Sequence, residues 1–348
     1  AIFITRIFLD SRNEKGKSIS FGTKLTMSLF SNINIGFLTK RKVAYSISFI
    51  LISISVFSLF FQGLNQGVDF VGGRSYVVRF EKEVNPSEIS GSLTDVFGSV
   101  EVKTFGDDNQ LKITTNYKVD VEGIEVDNEI QNKLFNGLKS YLNSDIDYDS
   151  FVNGSEEKQI GIMSSIKVGP TIADDIKKNS FLAVLGSLIV VFLYILLRFR
   201  RWQFSLGAVA AVFHDVLLVL GIFSIAYKIM PFNMEINQAF IAAILTVIGY
   251  SLNDTVVVFD RIREYINEHS NWEFQATVDS ALNSTLSRTL NTSLTTLIVL
   301  ISIFVFGGES IRGFMFALIV GVLVGTYSSV FIATPVMYDS LKINSQNK

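Results

Sequence analysis

Six stretches of the chain, residues 43–61, 181–197, 204–226, 234–259, 287–306 and 314–337, stay apolar over about the 20 residues that a bilayer crossing takes. Each predicts a membrane helix. Between the first and the second, over 65–180, the pattern becomes that of a soluble fold. Residues 74–80 read as a strand, and Pro86-Ser87-Glu88 opens a helix with proline in its first turn. Strands are predicted over 100–104 and 110–116, joined by the turn Gly106-Asp107-Asp108-Asn109. Ile130, Leu134, Leu138 and Leu142 recur at helical spacing within 126–142, and 160–168 supplies a last strand. The order β-α-β-β-α-β predicts a small α+β domain of ferredoxin-like type. Its helices should lie on one face of the sheet and leave the other partly exposed.

Charge orients this pattern, because basic residues mark the cytoplasmic ends of membrane helices. Thr39-Lys40-Arg41-Lys42 precedes the first apolar run, Arg198-Phe199-Arg200-Arg201 closes the second, and loop 227–233 carries only Lys228. One alternation satisfies them all, with both chain ends inside and the α+β domain outside. The expected division is 1–10, the end of a preceding span; 11–42, a cytoplasmic linker; 43–63, the first span; 64–178, an extracytoplasmic domain; 179–338, five further spans; and 339–348, a cytoplasmic tail. The opening AIFITRIFLD reads as the tail of an earlier apolar helix, not as a secretory signal. With 30 Lys+Arg against 32 Asp+Glu, the charge balance offers nothing to nucleic acid, and the lack of cysteine excludes disulfides and thiol chemistry.

The chemistry concentrates in the fourth run, where Asn253 and Asp254 interrupt apolar residues before Val256 to Phe259 resume. A carboxylate in hydrocarbon costs several kcal/mol unless it is paired, protonated or hydrated. Arg288 enters the fifth run from the same side and at a similar depth, so an Asp254–Arg288 contact is sterically open. Ser284, Arg288, Asn291 or Thr292, and Thr295 form a polar stripe at spacings of three and four, which predicts a face turned to the bundle interior or a hydrated path. A fixed pair that only holds the bundle together fits the same residues. His214 and Asp215 adjoin in the third run, with side chains expected about 100° apart and not facing each other; packing and ion transfer both remain open for them. Gly321 and Gly325 have the spacing of a close helix contact. GVDFVGG at 67–73 lacks the Lys and Ser/Thr of a phosphate loop and reads as a turn into the first strand. Asp145, Asp147, Asp149 and Glu156 have calcium-loop spacing, but Ser150 stands where such loops need glycine, so an acidic solvated loop is expected. No nucleophile with a base, no metal cluster and no cofactor motif occurs, which points to a transport component and not an enzyme.

GVDFVGG at 67–73, VGP at 168–170, HD at 214–215, GYSLNDTVVVFDRIRE at 249–264, LSRTLNTSLTTL at 286–297 and GTYSS at 325–329 together resemble the SecF family, bacterial membrane subunits that assist protein export through the Sec translocon. The resemblance spans 34–337. Residues 85–160 inherit little from it, and Ala173 stands where the family commonly has glycine. AIFITRIFLD looks like the last span of SecD, as in a fused SecD–SecF chain. The resemblance implies a membrane α-helical fold, a six-span RND-like bundle with the extracytoplasmic domain after its first span, in the bacterial cytoplasmic (inner) membrane. It implies a set of ion-coupling residues, Asp254, Arg288, Asn253, His214 and Asp215, and a structural motif of Gly67, Asp69, Gly72, Gly73, Gly169 and Pro170. It also implies ion-motive-force-driven late export of preproteins, with a SecD half, the SecYEG translocon and unfolded preprotein as partners. Protonating Asp254 would cancel its pair with Arg288 and shift the outer domain through the two spans that bracket it. Proton and sodium coupling both remain open. The alternatives are half of an RND-type exporter for lipids or small molecules, which should carry larger inserts, and a passive assembly subunit.

Overall fold

Long apolar helices set the frame. The computed structural model describes Arg6, Asp10, Ser11 and residues 35–121, 123–143, 145–153 and 160–346. The expected tail at 1–10, the linker at 11–34 and Glu156 otherwise lie outside the described residues. Six helices are long and apolar enough to cross a membrane: α1 (Arg41–Phe61), α6 (Pro170–Phe199), α7 (Trp202–Ala226), α8 (Gln238–Glu268), α9 (Phe274–Phe306) and α10 (Glu309–Ser328), the last continuing through a π-helical turn (Ser329–Ala333) into α11 (Thr334–Gln346). Pro335 has no N–H to give the preceding turn, and the Thr334 hydroxyl bonds instead to the Ser329 carbonyl at 3.1 Å, filling the wide turn.

Three helices outrun their apolar stretches. Proline at its first position starts α6 at Pro170, well before residue 181. Charged pairs carry α8 past Phe259: Arg263 bonds Asp260 at 2.9 Å and Arg261 bonds Glu264 at 2.6 Å, both one turn apart. Apolarity marks where lipid is, not where a helix ends.

Small residues let the helices approach. A Cβ at Gly221 on α7 would stand 2.1 Å from Ser55 Oγ of α1, and one at Gly321 on α10 would stand 2.0 Å from Val247 of α8. Helix α7 is buried along most of its length, whereas α9 is exposed along much of its C-terminal half.

Between α1 and α6 stand α2 (Val68–Val71), β1 (Gly73–Arg79), α3 (Pro86–Phe97), β2 (Val100–Phe105), β3 (Asp107–Thr115), α4 (Ile124–Leu138), α5 (Tyr148–Asn153) and β4 (Gly161–Val168). The strands form one antiparallel sheet in the order β2-β3-β1-β4. Tyr76, Val78, Leu111 and Ile113 bury one face against Ile89 and Leu93 of α3 and Ile130 and Leu134 of α4. The expected hairpin turn is tighter than its sequence suggests: Gly106, at φ +88°, lets β3 begin at Asp107. The second face is partly exposed, as expected, and covered at its centre, where Ser75 and Val77 are buried and Lys112 meets Glu235 of the α7–α8 connection. The open part of the sheet is edge strand β4, with Met163 and Ile166 exposed.

Arg74 of β1 is 1% exposed and bonds Asp127 at 2.8 and 2.9 Å, with its remaining donors on the carbonyls of Tyr117, Lys118 and Val121. Burial alone would raise the Asp127 carboxyl, but hydrogen bonds from Lys167 and Arg74 hold it below the ordinary carboxylate range. A depressed native pKa contributes stability that is present at neutral pH and lost as pH falls through the native value. Asp127→Ala should therefore lower amide protection of β1 and β4 by hydrogen exchange at neutral pH, by up to about 3 kcal/mol because a buried cation loses its counter-charge. The deficit relative to wild type should shrink on acidification; unchanged protection at neutral pH would refute the assignment.

Candidate intramembrane polar site

Two aspartates lie buried among the long helices, in opposite states. Asp215 of α7 is saturated. Its Oδ2 accepts from Ser251 of α8 at 2.6 Å and from Ser328 of α10 at 2.7 Å, and its Oδ1 lies 3.0 Å from His214 Nδ1. His214 Nε2 reaches Ser48 of α1 at 3.1 Å, and Ser48 also lies 3.1 Å from the Tyr327 hydroxyl. One cluster thus joins α1, α7, α8 and α10. The expectation that His214 and Asp215 do not face each other is corrected: their Cβ vectors diverge, but the longer imidazole folds back onto the neighbouring carboxylate. Sequence reading missed Ser48, Ser251 and Ser328. Ser251 and Ser328 lie inside quoted motifs, and the buried Ser48, Ser55 and Ser58 mark one face of α1 at spacings of seven and three.

Asp254, one turn of α8 beyond Ser251, is 3% exposed, and its Oδ2 has no hydrogen-bond partner among the described residues. It faces Ser293 and Arg288 of α9 within electrostatic reach, but no ion pair joins Asp254 to Arg288. Both sit 14 residues from the ends of α8 and α9 that meet at the connecting loop, about 21 Å along each helix. Thr289, next to Arg288, also has a buried hydroxyl oxygen without a partner, while Ser293 bonds Thr326 of α10 at 2.6 Å.

Arg288 is exposed and lines a polar crevice of about 780 Å³ with Arg198, Val257, Asp260, Arg261 and Thr285. Val257 is one turn from Asp254, so the crevice ends close to the orphaned carboxylate. Of the two settings expected for the stripe, Ser284 and Arg288 take a polar crevice and not the bundle interior. Ser284 accepts from Arg261 at 3.0 Å, but Arg288, Asn291, Thr292 and Thr295 are exposed, and the polar face that α9 buries carries Thr285, Thr289 and Ser293. The difference is one step around the helix, below what spacing resolves without knowing the neighbours. Asn253 is exposed too, beyond Ala242, Thr246 and Gly249 on the same open side of α8.

The glycine motif lies at the entrance to the sheet domain. Gly72 and Gly73 have φ of +74° and +133°, and a Cβ on Gly73 would stand 2.8 Å from the Thr115 carbonyl oxygen. The exit adjoins it: Gly73 pairs with Val168, and Gly169-Pro170 caps and starts α6. Gly67 precedes α2, and Asp69 accepts from the Gln238 amide at 3.0 Å.

The chain resembles known proteins. A family model described as protein export membrane protein SecD/SecF, C-terminal, matches residues 149–342, and a SecD/SecF GG motif model matches 57–84. The chain is 45% identical over 314 residues to protein translocase subunit SecF of Rhodothermus marinus, covering 90% of this chain and 95% of that protein. It is 38% identical over 315 residues to the subunit of that name from Vibrio alginolyticus, covering 90% and 91%. A crystal structure of SecDF, a translocon-associated membrane protein from Thermus thermophilus, superposes with a TM-score of 0.77 at 27% identity, over 96% of this chain and 41% of that longer one.

The saturated cluster makes a direct expectation. Asp215→Leu should strand three donors and lower the unfolding temperature in detergent, whereas Asp215→Asn, which keeps two acceptor lone pairs, should cost less. Intramembrane hydrogen bonds contribute about 0.6 kcal/mol each on average, so the Leu variant should lose roughly 1–2 kcal/mol. Equal stability of the two variants would contradict the bonding described.

Proposed function

We propose, for a chain that belongs to the SecF family of protein-export membrane proteins, that Asp254 is the switched ion-coupling group of a multi-pass translocase subunit. The observation that carries this is the unpartnered, buried Asp254 oxygen at the end of a crevice lined by Arg288. A carboxylate so placed is unstable as an anion and gains by taking up a cation or proton. Uptake changes its attraction for Arg288, and the transmembrane potential supplies about 2.3 kcal/mol per charge per 100 mV to bias the step. In this reading the ion-motive force drives late export of preproteins, in the bacterial inner membrane and beside the SecYEG translocon. His214 and Asp215, saturated by bonds, hold the bundle in register around the switch.

The SecD half, as a partner, finds a fitting surface here. The open side of α8 carries the small and polar residues Ala242, Thr246, Gly249 and Asn253, and that of α9 carries Arg288, Asn291, Thr292 and Thr295. Such faces favour a second helix bundle over lipid. This supports reading the chain as one half of an RND-like pair. The all-antiparallel order β2-β3-β1-β4 with its helices on one face supports a ferredoxin-like domain, taken as 64–178, between the first span at 43–63 and the five spans in 179–338. Its exposed edge strand β4 suits weak, sequence-tolerant contact with an unfolded preprotein through backbone pairing.

Two measurements test the reading. In the SecD-containing complex, Asp254→Asn should abolish ion-driven stimulation of export at normal membrane abundance, and Arg288→Lys should impair it, since an ammonium cannot form the guanidinium fork. Restored export in an Asp254→Asn, Arg288→Gln double variant would reduce the pair to a structural one, as in a passive subunit. For topology, Asn109→Cys should react with an impermeant thiol reagent in intact cells; selective labelling of Ser345→Cys would invert the orientation.

A further inference from the structure

The outer end of the Asp254 helix is built into the sheet domain. Just before α8, the backbone of Ile236 is held on both sides: its amide donates to the Asn65 carbonyl at 2.7 Å, and its carbonyl accepts from the Gly67 amide at 2.9 Å. Gln66 and Ile236 pair there as a parallel bridge. One residue earlier, Glu235 bonds Lys112 of β3, a strand flanked on both sides in the sheet. Two residues later, the Gln238 amide, first in the helix, donates to Asp69 at 3.0 Å. Asn237 caps the Phe240 amide at 3.0 Å from within the chain, so Asp69 adds a second cap, anionic and supplied by the other segment.

The covalent route from α1 is softer. It passes through Gly63, at φ +69° and with open space around its Cα. By contrast, Asp69 is separated from β1 only by the end of α2 and the Gly72-Gly73 turn, and α2 itself packs Val68 against Ala173 and Ile176 of α6. Gly67 leaves no slack, since a Cβ there would lie 3.3 Å from Glu235 Oε2 and 3.4 Å from the Ile236 carbonyl oxygen.

We infer that Asp69 and the Lys112–Glu235 pair lock the sheet domain to the N-terminus of α8 as one rigid body, making α8 a carrier of motion from Asp254 to the outer domain. Asp69 is a positioning residue in this scheme. From Gln238 to Asp254 is 16 residues, about 24 Å of unbroken helix, so an axial shift or rotation at the carboxylate reaches the domain directly. The inference rests on Asp254 being the switched group. It adds α8 to the bracketing spans α1 and α6 as a path for force.

The test uses the SecD-containing complex and a chain that offers no cysteine of its own. The bridge partners Gln66 and Ile236 are replaced together by cysteine and oxidised. If domain and helix move as one body, the disulfide leaves ion-driven export within about twofold of the reduced protein; loss on oxidation with recovery on reduction overturns the inference. Asp69→Asn, which keeps the acceptor for the Gln238 amide, should export nearly as wild type. Asp69→Ala should fall about fivefold or more, in line with losing a helix cap, while a fluorophore at Asn267→Cys still reports the ion-dependent change in the crevice. Equal export by the Ala and Asn variants also overturns it. Asp254→Asn is run in parallel: if that variant exports normally, the switch reading itself has failed, whereas a dead Asp254→Asn beside an unaffected Asp69→Ala removes only the coupling.

Discussion

Water is absent from the middle of a bilayer, so every polar atom there must find its donors and acceptors in the protein, and this bundle treats its two buried aspartates in opposite ways. Asp215 receives a hydroxyl from α8, another from α10 and the ring of His214, whose far nitrogen reaches α1. Four helices are thereby fixed against one another at one level. Asp254, a single turn along α8 from Ser251, keeps an oxygen without a partner among the described residues. The contrast separates roles: a group with all its bonds made is costly to move, and a group with one unmade has free energy to gain from a change.

The rigid side of the bundle and the open side follow from the same economy of small residues. Gly221 against Ser55, and Gly321 against Val247, bring α1, α7, α8 and α10 to distances at which Ser hydroxyls can span between backbones. Helix α9 leaves Arg288 and Asn291 uncovered. Arg288 turns to the polar crevice beside Asp260, and Asn291, Thr292 and Thr295 continue that exposed polar face along the helix. Asp254 and this exposed polar face are therefore adjacent, on neighbouring helices.

Much of the architecture was legible in the amino-acid sequence because hydropathy over twenty residues and strand-helix alternation are local signals. The six apolar helices, the strand order along the chain and the α4 core positions needed nothing else. What could not be read are quantities set by neighbours. The polar turns of α6, α8 and α9 are helical because the helix they continue is already nucleated. The hydroxyl of Ser48 is partnered 166 residues away, and no local pattern carries that. The stripe through Arg288 was found, but the choice between bundle interior and crevice was not, since a face of α9 is inward or outward only relative to its neighbours. Asp254 itself was visible at once, because a charge within an apolar run is a departure from the run.

Helix α8 draws these features together. At its C-terminal end it carries the charged turn that walls the crevice, at its middle the orphaned Asp254 and the Ser251 that ties it to Asp215, and at its N-terminal end the amide held by Asp69. A helix this long resists bending because each turn is bonded to the next. In the proposed switch, a displacement of α8 meets the Asp215 carboxylate, whose Oδ2 accepts from Ser251 of α8 and from Ser328 of α10, where Gly325 also packs on Ser251. Sliding α8 along α10 would pull Ser251 from that oxygen and leave a buried carboxylate short of a donor. The path that keeps the cluster intact moves α7, α8 and α10 together, along with the segment that holds the sheet domain.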